Sequence, residues 1–145
     1  MTVGRICVHD VVTVLEEEAV TDAAALMERR GVGTVVVVDD EDGSPVGMLT
    51  DRDIALRCVG RRLDPDVTEV RDVMSSPVET VSESTPLERA VERMASGGTR
   101  RLVVTDATGR LEGIVALDDV LDVLIGEAED VARVLRGQAP RPADD

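Results

Sequence analysis

The chain contains one internal duplication, and this repeat limits the folds it can adopt more than any other feature of its sequence. When the sequence is shifted by 67 residues, residues 11–41 align with 78–108, and a one-residue gap in a turn then changes the shift to 66 for residues 43–60. Fourteen of the aligned positions are identical. The two copies must therefore form the same small unit, and a chain of 145 residues fits one compact domain or two small, mutually dependent halves.

Each copy is predicted to form a β-α-β-β-α unit. The first helix of each copy has apolar residues at i, i+3, i+4 and i+7, which places them on one helical face. These residues are Val20, Ala23, Ala24 and Met27 in the first copy and Leu87, Ala90, Val91 and Met94 in the second. Aliphatic runs separated by Gly and Asp turns indicate strands. The predicted strands are 11–14, 34–39, 45–49, 78–81, 101–105 and 111–115, and the predicted helices are 19–30, 51–59, 86–96 and 118–125.

The domain organisation follows from the repeat and from the composition of the segments around it. The first repeat is expected at 5–62, a linker at 63–72 and the second repeat at 73–127. A helical extension is expected at 128–136. Residues 137–145 are rich in Gly, Ala, Pro, Arg and Asp, and such a composition indicates a disordered tail.

The charge of the chain excludes several classes of partner. Its formal net charge is -14, and all 16 basic residues are Arg. A surface of this kind repels nucleic acid and anionic membranes, which bind clustered positive charge. A high-salt cytoplasm or a GC-rich genome would explain the composition, and we favour the first hypothesis. No apolar run approaches the ~20 residues that span a bilayer, and the N-terminus lacks a signal sequence, so a cytoplasmic location is expected.

The cysteines and the single histidine do not predict a metal site. Cys7 and Cys58 lie far apart and form no CxxC motif, which suits reduced thiols. A zinc site built from Cys7, His9 and Cys58 would have three ligands at most. We therefore expect Cys7 to be a small buried apolar residue and His9 a surface residue.

A short motif follows the third strand of each copy. Residues 47–53 read Gly-Met-Leu-Thr-Asp-Arg-Asp, and residues 113–119 read Gly-Ile-Val-Ala-Leu-Asp-Asp. This order of glycine, two apolar residues, Thr or Ser, two variable residues and Asp resembles the signature of CBS domains. Residues 100–104 are similar to the strand that precedes this signature in nucleotide-sensing members. The resemblance covers about residues 5–127, and two signatures in a duplicated unit make it specific.

The resemblance implies an α/β fold of two β-α-β-β-α repeats related by a pseudo-twofold axis. Two symmetry-related clefts between the repeats would hold adenosine-containing ligands. Two such pairs commonly associate into a disc-shaped homodimer.

The candidate ligand-binding residues begin with two carboxylates. Asp53 and Asp119 lie in the first turn of a predicted helix, where a carboxylate can accept both ribose hydroxyls and free N–H groups favour a phosphate. Thr50 adds a hydroxyl. The same Thr-x-x-Asp spacing is also that of a capping box, which only starts a helix. In the second copy Ala116 removes the hydroxyl while Asp119 is kept, so a use other than capping is expected for Asp119, in a cleft less complete at its phosphate end.

Other candidates lie at the strand ends. Met48, Ile114 and Val32 are expected to sandwich the adenine ring in a chain that has no Phe, Tyr or Trp. Arg100 and Arg101 offer the planar donors that phosphates prefer. The alternative is that this charged pair is solvated or bonded to nearby acids.

The sequence is compatible with three functions. The first is a sensor that binds AMP, ADP, ATP, with Mg²⁺ where needed, or S-adenosylmethionine, and relays this to an unknown effector protein. The second is a structural dimerisation module with empty clefts. The third is an enzyme, against which stand the absence of a GxGxxG or P-loop motif and the single histidine; no catalytic residue is predicted. The net charge favours AMP or a neutral to cationic adenosyl ligand over ATP.

Overall fold

The computed structural model describes residues 1–137, so the predicted tail lies outside the described residues apart from Gly137. In the first copy the elements are α1 (Val3–Ile6), β1 (Thr13–Leu15), α2 (Val20–Arg30), β2 (Thr34–Val38), β3 (Pro45–Thr50) and α3 (Asp51–Asp53), which continues as a π-helix (Ile54–Val59). A 3-10 turn (Val70–Asp72) follows, and then β4 (Thr80–Ser82), α4 (Leu87–Gly97), β5 (Arg101–Thr105), β6 (Leu111–Ala116) and α5 (Leu117–Leu135).

The strands form two equivalent three-stranded sheets, in the orders β1-β2-β3 and β4-β5-β6. In each sheet the first pair is parallel and the second antiparallel. The registers agree as well, since Val37 pairs with Gly47 and Val104 pairs with Gly113. The predicted α/β fold with two β-α-β-β-α repeats is confirmed. Aliphatic residues buried on both faces of the central strands account for this arrangement.

Most element ends lie within one residue of the prediction, and α1 and the 3-10 turn were not predicted. Three kinds of larger difference occur. β1 and β4 each begin two residues later than expected, since residues 11–12 and 78–79 approach the sheet through isolated bonds such as Val36 N to Val12 O at 3.0 Å. α5 joins the predicted final helix and the predicted extension into one helix, because no proline interrupts it. The helix after β3 continues in the π form. Among the helices of residues 1–137, none combines the length and apolar character needed to cross a bilayer.

The segment at the N-terminus packs on the second copy of the repeat. The Val3 side chain is fully buried in the core that includes Val81 and Leu102, and its N–H donates to Thr85 O at 2.9 Å. Val8 and Ile114 then exchange two backbone hydrogen bonds, of 2.8 and 3.0 Å. The first residues of the chain therefore complete the second core.

The segment between the copies makes the equivalent contacts with the first copy. Val70, part of the predicted linker, is fully buried in the first core, and its N–H donates to Glu18 O at 2.9 Å. Met48 and Ser75 exchange hydrogen bonds of 3.0 and 2.9 Å. Each copy is thus closed by the segment that precedes the other copy in sequence.

The glycine of each signature makes this closure possible. A β-carbon on Gly113 would lie 2.6 Å from Val8 O and 2.9 Å from Cys7 Sγ. A β-carbon on Gly47 would lie 2.6 Å from Met74 Sδ, again in the incoming segment. The glycines are therefore required by neighbouring protein atoms.

Candidate ligand-binding clefts

A cleft of about 360 Å³ lies between the two repeats and brings together four of the predicted ligand-binding residues. These four are Met48, Thr50 and Asp53 from the first copy and Arg101 from the second. The rest of the wall comes from the residues that lead into β4, from the last residue of α4 and from the turn after it. It consists of Ser75, Pro77, Val78, Glu79, Gly97 and Thr99.

Asp53 forms the capping box that its spacing allows. Its Oδ2 accepts from Thr50 N at 3.0 Å, and its own N–H donates to Thr50 Oγ1 at 3.1 Å. Its Oδ1 lies 3.9 Å from the guanidinium of Arg57, beyond hydrogen-bond distance, and the side chain is 15% exposed. Asp53 therefore starts the helix and still presents one carboxylate oxygen beside the cleft.

Arg57, which the sequence analysis did not identify, fixes the cleft wall. Its guanidinium donates to Val73 O at 3.1 Å, to Met74 O at 3.0 Å and to Ser75 Oγ at 3.3 Å. It thereby joins the helix after the signature to the segment that carries Ser75. The i, i+4 spacing from Asp53 was the only signal for this role.

The two predicted arginines occupy different surroundings. Arg101, the first residue of β5, is exposed and lines both the cleft and a smaller cavity of about 250 Å³. Arg100 lines only the smaller of these two, with Ala116 and Asp118, and its guanidinium lies 3.3 Å from Asp118 Oδ1. Both partners of that pair are more than 70% exposed, so it is the solvated pair that the alternative interpretation described.

The second signature shows that the argument for a use of Asp119 other than helix capping was wrong. Asp119 Oδ2 accepts from Ala116 N at 3.0 Å, so the carboxylate caps α5 without a threonine hydroxyl. Retention of Asp119 is thus explained by helix capping and does not by itself require a ligand. Ile114 is partly buried beside Val8, and Val32 packs partly buried against the first core.

Six residues of the cleft wall were missed, although the repeat contained a signal for one of them. Thr99 aligns with the predicted residue Val32 and lines the cleft. Ser75 and Glu79 come from the segment whose packing the sequence did not reveal. Glu79 is bonded to Arg93 at 3.0 Å, which neutralises part of the negative charge in the wall.

The cysteines are in separate cores. Cys58 belongs to the first core and Cys7 to the second, with Cys7 Sγ 3.6 Å from His9 Nε2. Burial, followed by the charge of Glu112, raises the pKa of the Cys7 thiol. Within residues 1–137, no cluster of three or more His, Cys, Asp or Glu side chains is arranged to hold a metal ion.

The comparison with protein families agrees with the two signatures. The family model for the CBS domain matches residues 3–60 and again residues 70–126, so the chain belongs to the CBS domain family. Proteins of this family are generally regulatory and non-catalytic.

Two relatives are similar to most of the chain. The chain is 42% identical over 110 residues to the CBS domain-containing protein YhcV of Bacillus subtilis, covering 76% of each chain. It is 38% identical over 123 residues to an uncharacterized protein of Methanopyrus kandleri, covering 85% of this chain and 62% of that relative.

Two similar structures contain nucleotides. A CBS domain protein of Pyrobaculum aerophilum complexed with AMP has a TM-score of 0.71 at 28% identity, with 82% of this chain and 89% of that chain covered. The cytosolic domain of the Mg²⁺ channel MgtE in complex with ATP has a TM-score of 0.73 at 32% identity, with 84% of this chain and 48% of that chain covered.

Proposed function

We propose that this protein is a regulatory module that binds an adenosine-containing ligand in the cleft around Asp53 and, when the ligand is bound, changes the activity of a partner protein. The observation that carries the proposal is the convergence of Met48, Thr50, Asp53 and Arg101 on one cleft between the repeats. The AMP and ATP complexes of similar structures support the ligand class.

The groups in the cleft match the parts of a nucleoside monophosphate. Asp53 Oδ1 can accept a ribose hydroxyl in a charge-assisted hydrogen bond. Met48 and Val78 offer apolar surface to the adenine ring, as expected for a site that lacks aromatic residues. Arg101 supplies a guanidinium for the phosphate. The net charge of -14 and Glu79 in the wall favour one phosphate over three.

The proposal is tested by calorimetric titration of AMP, with ATP and S-adenosylmethionine as comparisons, at low and high KCl and with and without Mg²⁺. Asp53→Asn and Arg101→Gln should each weaken AMP binding about tenfold or more, since each removes a charge-assisted hydrogen bond. Asp51→Asn is the matched control, because Asp51 carries the same charge in the same turn but is exposed and does not line the cleft.

The control should bind AMP within about twofold of the wild type. Wild-type affinity in the double variant of Asp53 and Arg101 would overturn the site. Absence of binding by every adenosine compound would overturn the function. Thermal melts of each variant separate a lost contact from lost folding.

Regulation of a partner requires that the protein have two conformations and that the ligand bind one of them more tightly than the other. We propose a homodimer as the unit that responds, because α5 exposes Leu121, Leu124 and Ile125 at 45–55% of their surface. Light scattering of the wild type and of Leu124→Glu tests this. A dimer that Leu124→Glu converts to a monomer supports the proposal, and a wild-type monomer overturns it.

A purely structural dimerisation module is the second candidate, favoured by the same exposed residues. It predicts the dimer together with an unoccupied cleft, so the AMP titration separates the two functions.

A further inference from the structure

Arg57 lies behind the wall of the cleft around Asp53 and approaches two of its polar groups. Its Nη1 donates to Ser75 Oγ at 3.3 Å and lies 3.9 Å from Asp53 Oδ1. Asp53 and Ser75 both line the cleft, whereas Arg57 is not among the lining residues. A single guanidinium nitrogen is therefore close to both polar groups without reaching the cleft itself.

The position of this guanidinium is fixed by the backbone of the incoming segment. The same Nη1 donates to Val73 O at 3.1 Å and to Met74 O at 3.0 Å. Val73 is buried in the first core, and Ser75 exchanges backbone hydrogen bonds with Met48. Because the segment is held at both ends, its carbonyl groups have little freedom to move, and the guanidinium is held with them.

The bond to Arg57 determines the direction in which the Ser75 hydroxyl can donate. A guanidinium has only N–H donors, so Ser75 Oγ acts towards it as an acceptor. The hydroxyl hydrogen of Ser75 is then directed away from Arg57 and remains available to a ligand, and the cation behind the oxygen makes it a stronger donor. The Asp53 carboxylate can only accept. The cleft thus presents a donor and an acceptor near one another.

A neighbouring donor and acceptor suit the two adjacent hydroxyls of a ribose. One hydroxyl can donate to Asp53 Oδ1, and the other can accept from the Ser75 hydroxyl. A deoxyribose lacks one of these hydroxyls and leaves a polar group of the protein without its partner. A site built to bond a hydroxyl discriminates strongly against an analogue that lacks it.

The other copy of the repeat lacks both members of this arginine and serine pair. Val123 stands at the position of Arg57, and Val8 stands at the position of Ser75. The helix that carries Arg57 is in the π form, whereas the equivalent part of α5 is an ordinary α-helix. Turns of π-helix are rare and are frequent at functional sites. The arginine, the serine and the π turn therefore occur together, beside the same cleft.

We propose that Arg57 is a positioning residue that makes the cleft around Asp53 specific for ribose over deoxyribose, because it directs the Ser75 hydroxyl towards one hydroxyl of the sugar. This inference rests on the proposed function of that cleft. Arg57 acts through Ser75 and does not touch the ligand. A merely structural role of Arg57 would instead make its loss weaken the binding of ribose and deoxyribose nucleotides by the same factor.

Calorimetric titrations of AMP, 2′-deoxy-AMP and 3′-deoxy-AMP test the proposal. The wild type should bind each deoxy analogue at least about tenfold more weakly than AMP. In Ser75→Ala, discrimination against one of the two analogues should fall to within about threefold, since the contact to that hydroxyl has been removed. Arg57→Met should lose discrimination against the same analogue. The double variant should lose no more than Arg57→Met alone, because the two residues act as one unit.

Arg52→Met is the matched control, because Arg52 is an exposed arginine near the start of the same helix and does not line the cleft. It should bind AMP within about twofold of the wild type and keep the wild-type discrimination. Thermal melts show whether each variant is folded. Ser75→Ala, which removes a single exposed hydroxyl, decides the question if Arg57→Met does not fold.

Unchanged discrimination in Ser75→Ala or in folded Arg57→Met would overturn the inference, even if all three nucleotides bound more weakly. Equal affinity of the wild type for AMP and both analogues would also overturn it and would leave the proposed function intact. If the wild type binds none of the three nucleotides, the inference fails, and the proposed function stands only if ATP or S-adenosylmethionine binds.

Discussion

Replacement of Gly113 by Ala tests how the N-terminal segment is held on the second repeat. The new β-carbon would lie 2.6 Å from Val8 O, against an ordinary contact of at least 3.4 Å. The N-terminal segment carrying Val8 would have to retreat by about 0.8 Å, because the Val8 carbonyl is backbone and cannot rotate away. The hydrogen bonds between Val8 and Ile114, now 2.8 and 3.0 Å, would then exceed normal length.

The expected loss of stability follows from these contacts. Two backbone hydrogen bonds contribute about 1 kcal/mol each, and overpacking costs about 1–3 kcal/mol. The lower flexibility of alanine in the unfolded chain offsets about 0.5–1 kcal/mol. The free energy of unfolding should therefore fall by about 3 kcal/mol, a large fraction of the ~5–15 kcal/mol typical of a domain.

Urea denaturation followed by far-UV circular dichroism measures this change, since the chain has no tryptophan for fluorescence. Gly126→Ala is the matched control, because it should raise the free energy of unfolding where Gly113→Ala lowers it. It lies inside α5 with open space around its α-carbon, so alanine should stabilise the helix by up to about 1 kcal/mol. Gly47→Ala should fall between the two, because its closest contact is the flexible Met74 sulfur.

Amide hydrogen exchange localises the effect. In Gly113→Ala the amides of Val8 and Ile114 should lose protection before those of β1–β3. A loss of stability under about 1 kcal/mol, or unchanged protection at both amides, would refute the steric argument.

Four further predictions concern separate parts of the molecule. Val70→Ala should lower the free energy of unfolding by about 2 kcal/mol in urea titrations, with the greatest loss of exchange protection in β1–β3, because Val70 fills the first core; a loss confined to the second copy would contradict this. Thr50→Ala should cost about 1 kcal/mol by removing one helix cap, again measured in urea, and no change would show that the cap is redundant. The Thr108 hydroxyl holds the pKa of Asp106 below its ordinary value, so Thr108→Val should raise that pKa in a carboxyl ¹³C titration. Since a lowered pKa in the folded state contributes stability that is lost as the pH falls through it, the variant should lose this contribution at a higher pH, and an unchanged titration would contradict the assignment. If the acidic composition is an adaptation to salt, the melting temperature should rise between about 0.1 and 3 M KCl by more than a relative of balanced charge shows, and no rise would count against that hypothesis.

The sequence predicted the sheets and helices because their signals are local. Period-2 and period-3.6 patterns, repeated at a fixed shift, were sufficient for the two β-α-β-β-α units. They could not distinguish an α-helical turn from the π-helix at residues 54–59, since the same apolar residues suit both. They also could not show that the carboxylate of Asp119 caps α5 through a backbone N–H alone, which requires atomic distances.

The packing of each preceding segment on the other copy could not be predicted from the sequence, for a different reason. Val3 and Val70 are identical residues at equivalent positions, and Ile6 and Val73 are similarly apolar. A duplication shows that such segments are equivalent, but it does not show which of the two equivalent cores each one enters. The cleft residues Ser75 and Glu79 were missed for this reason, whereas Asp53, Thr50, Met48 and Arg101 could be placed from the signatures and the strand before them.

The reciprocal placement of Val3 and Val70 means that a cut in the chain does not separate the protein into two independent parts. A peptide ending near residue 66 would contain Val3, which fills the core of the second copy, but would lack Val70, which fills its own core. The remaining peptide would contain Val70 but lack Val3. Such fragments should be poorly structured apart and regain order when mixed. The two copies should therefore fold as one cooperative unit, because each supplies a buried residue to the core of the other.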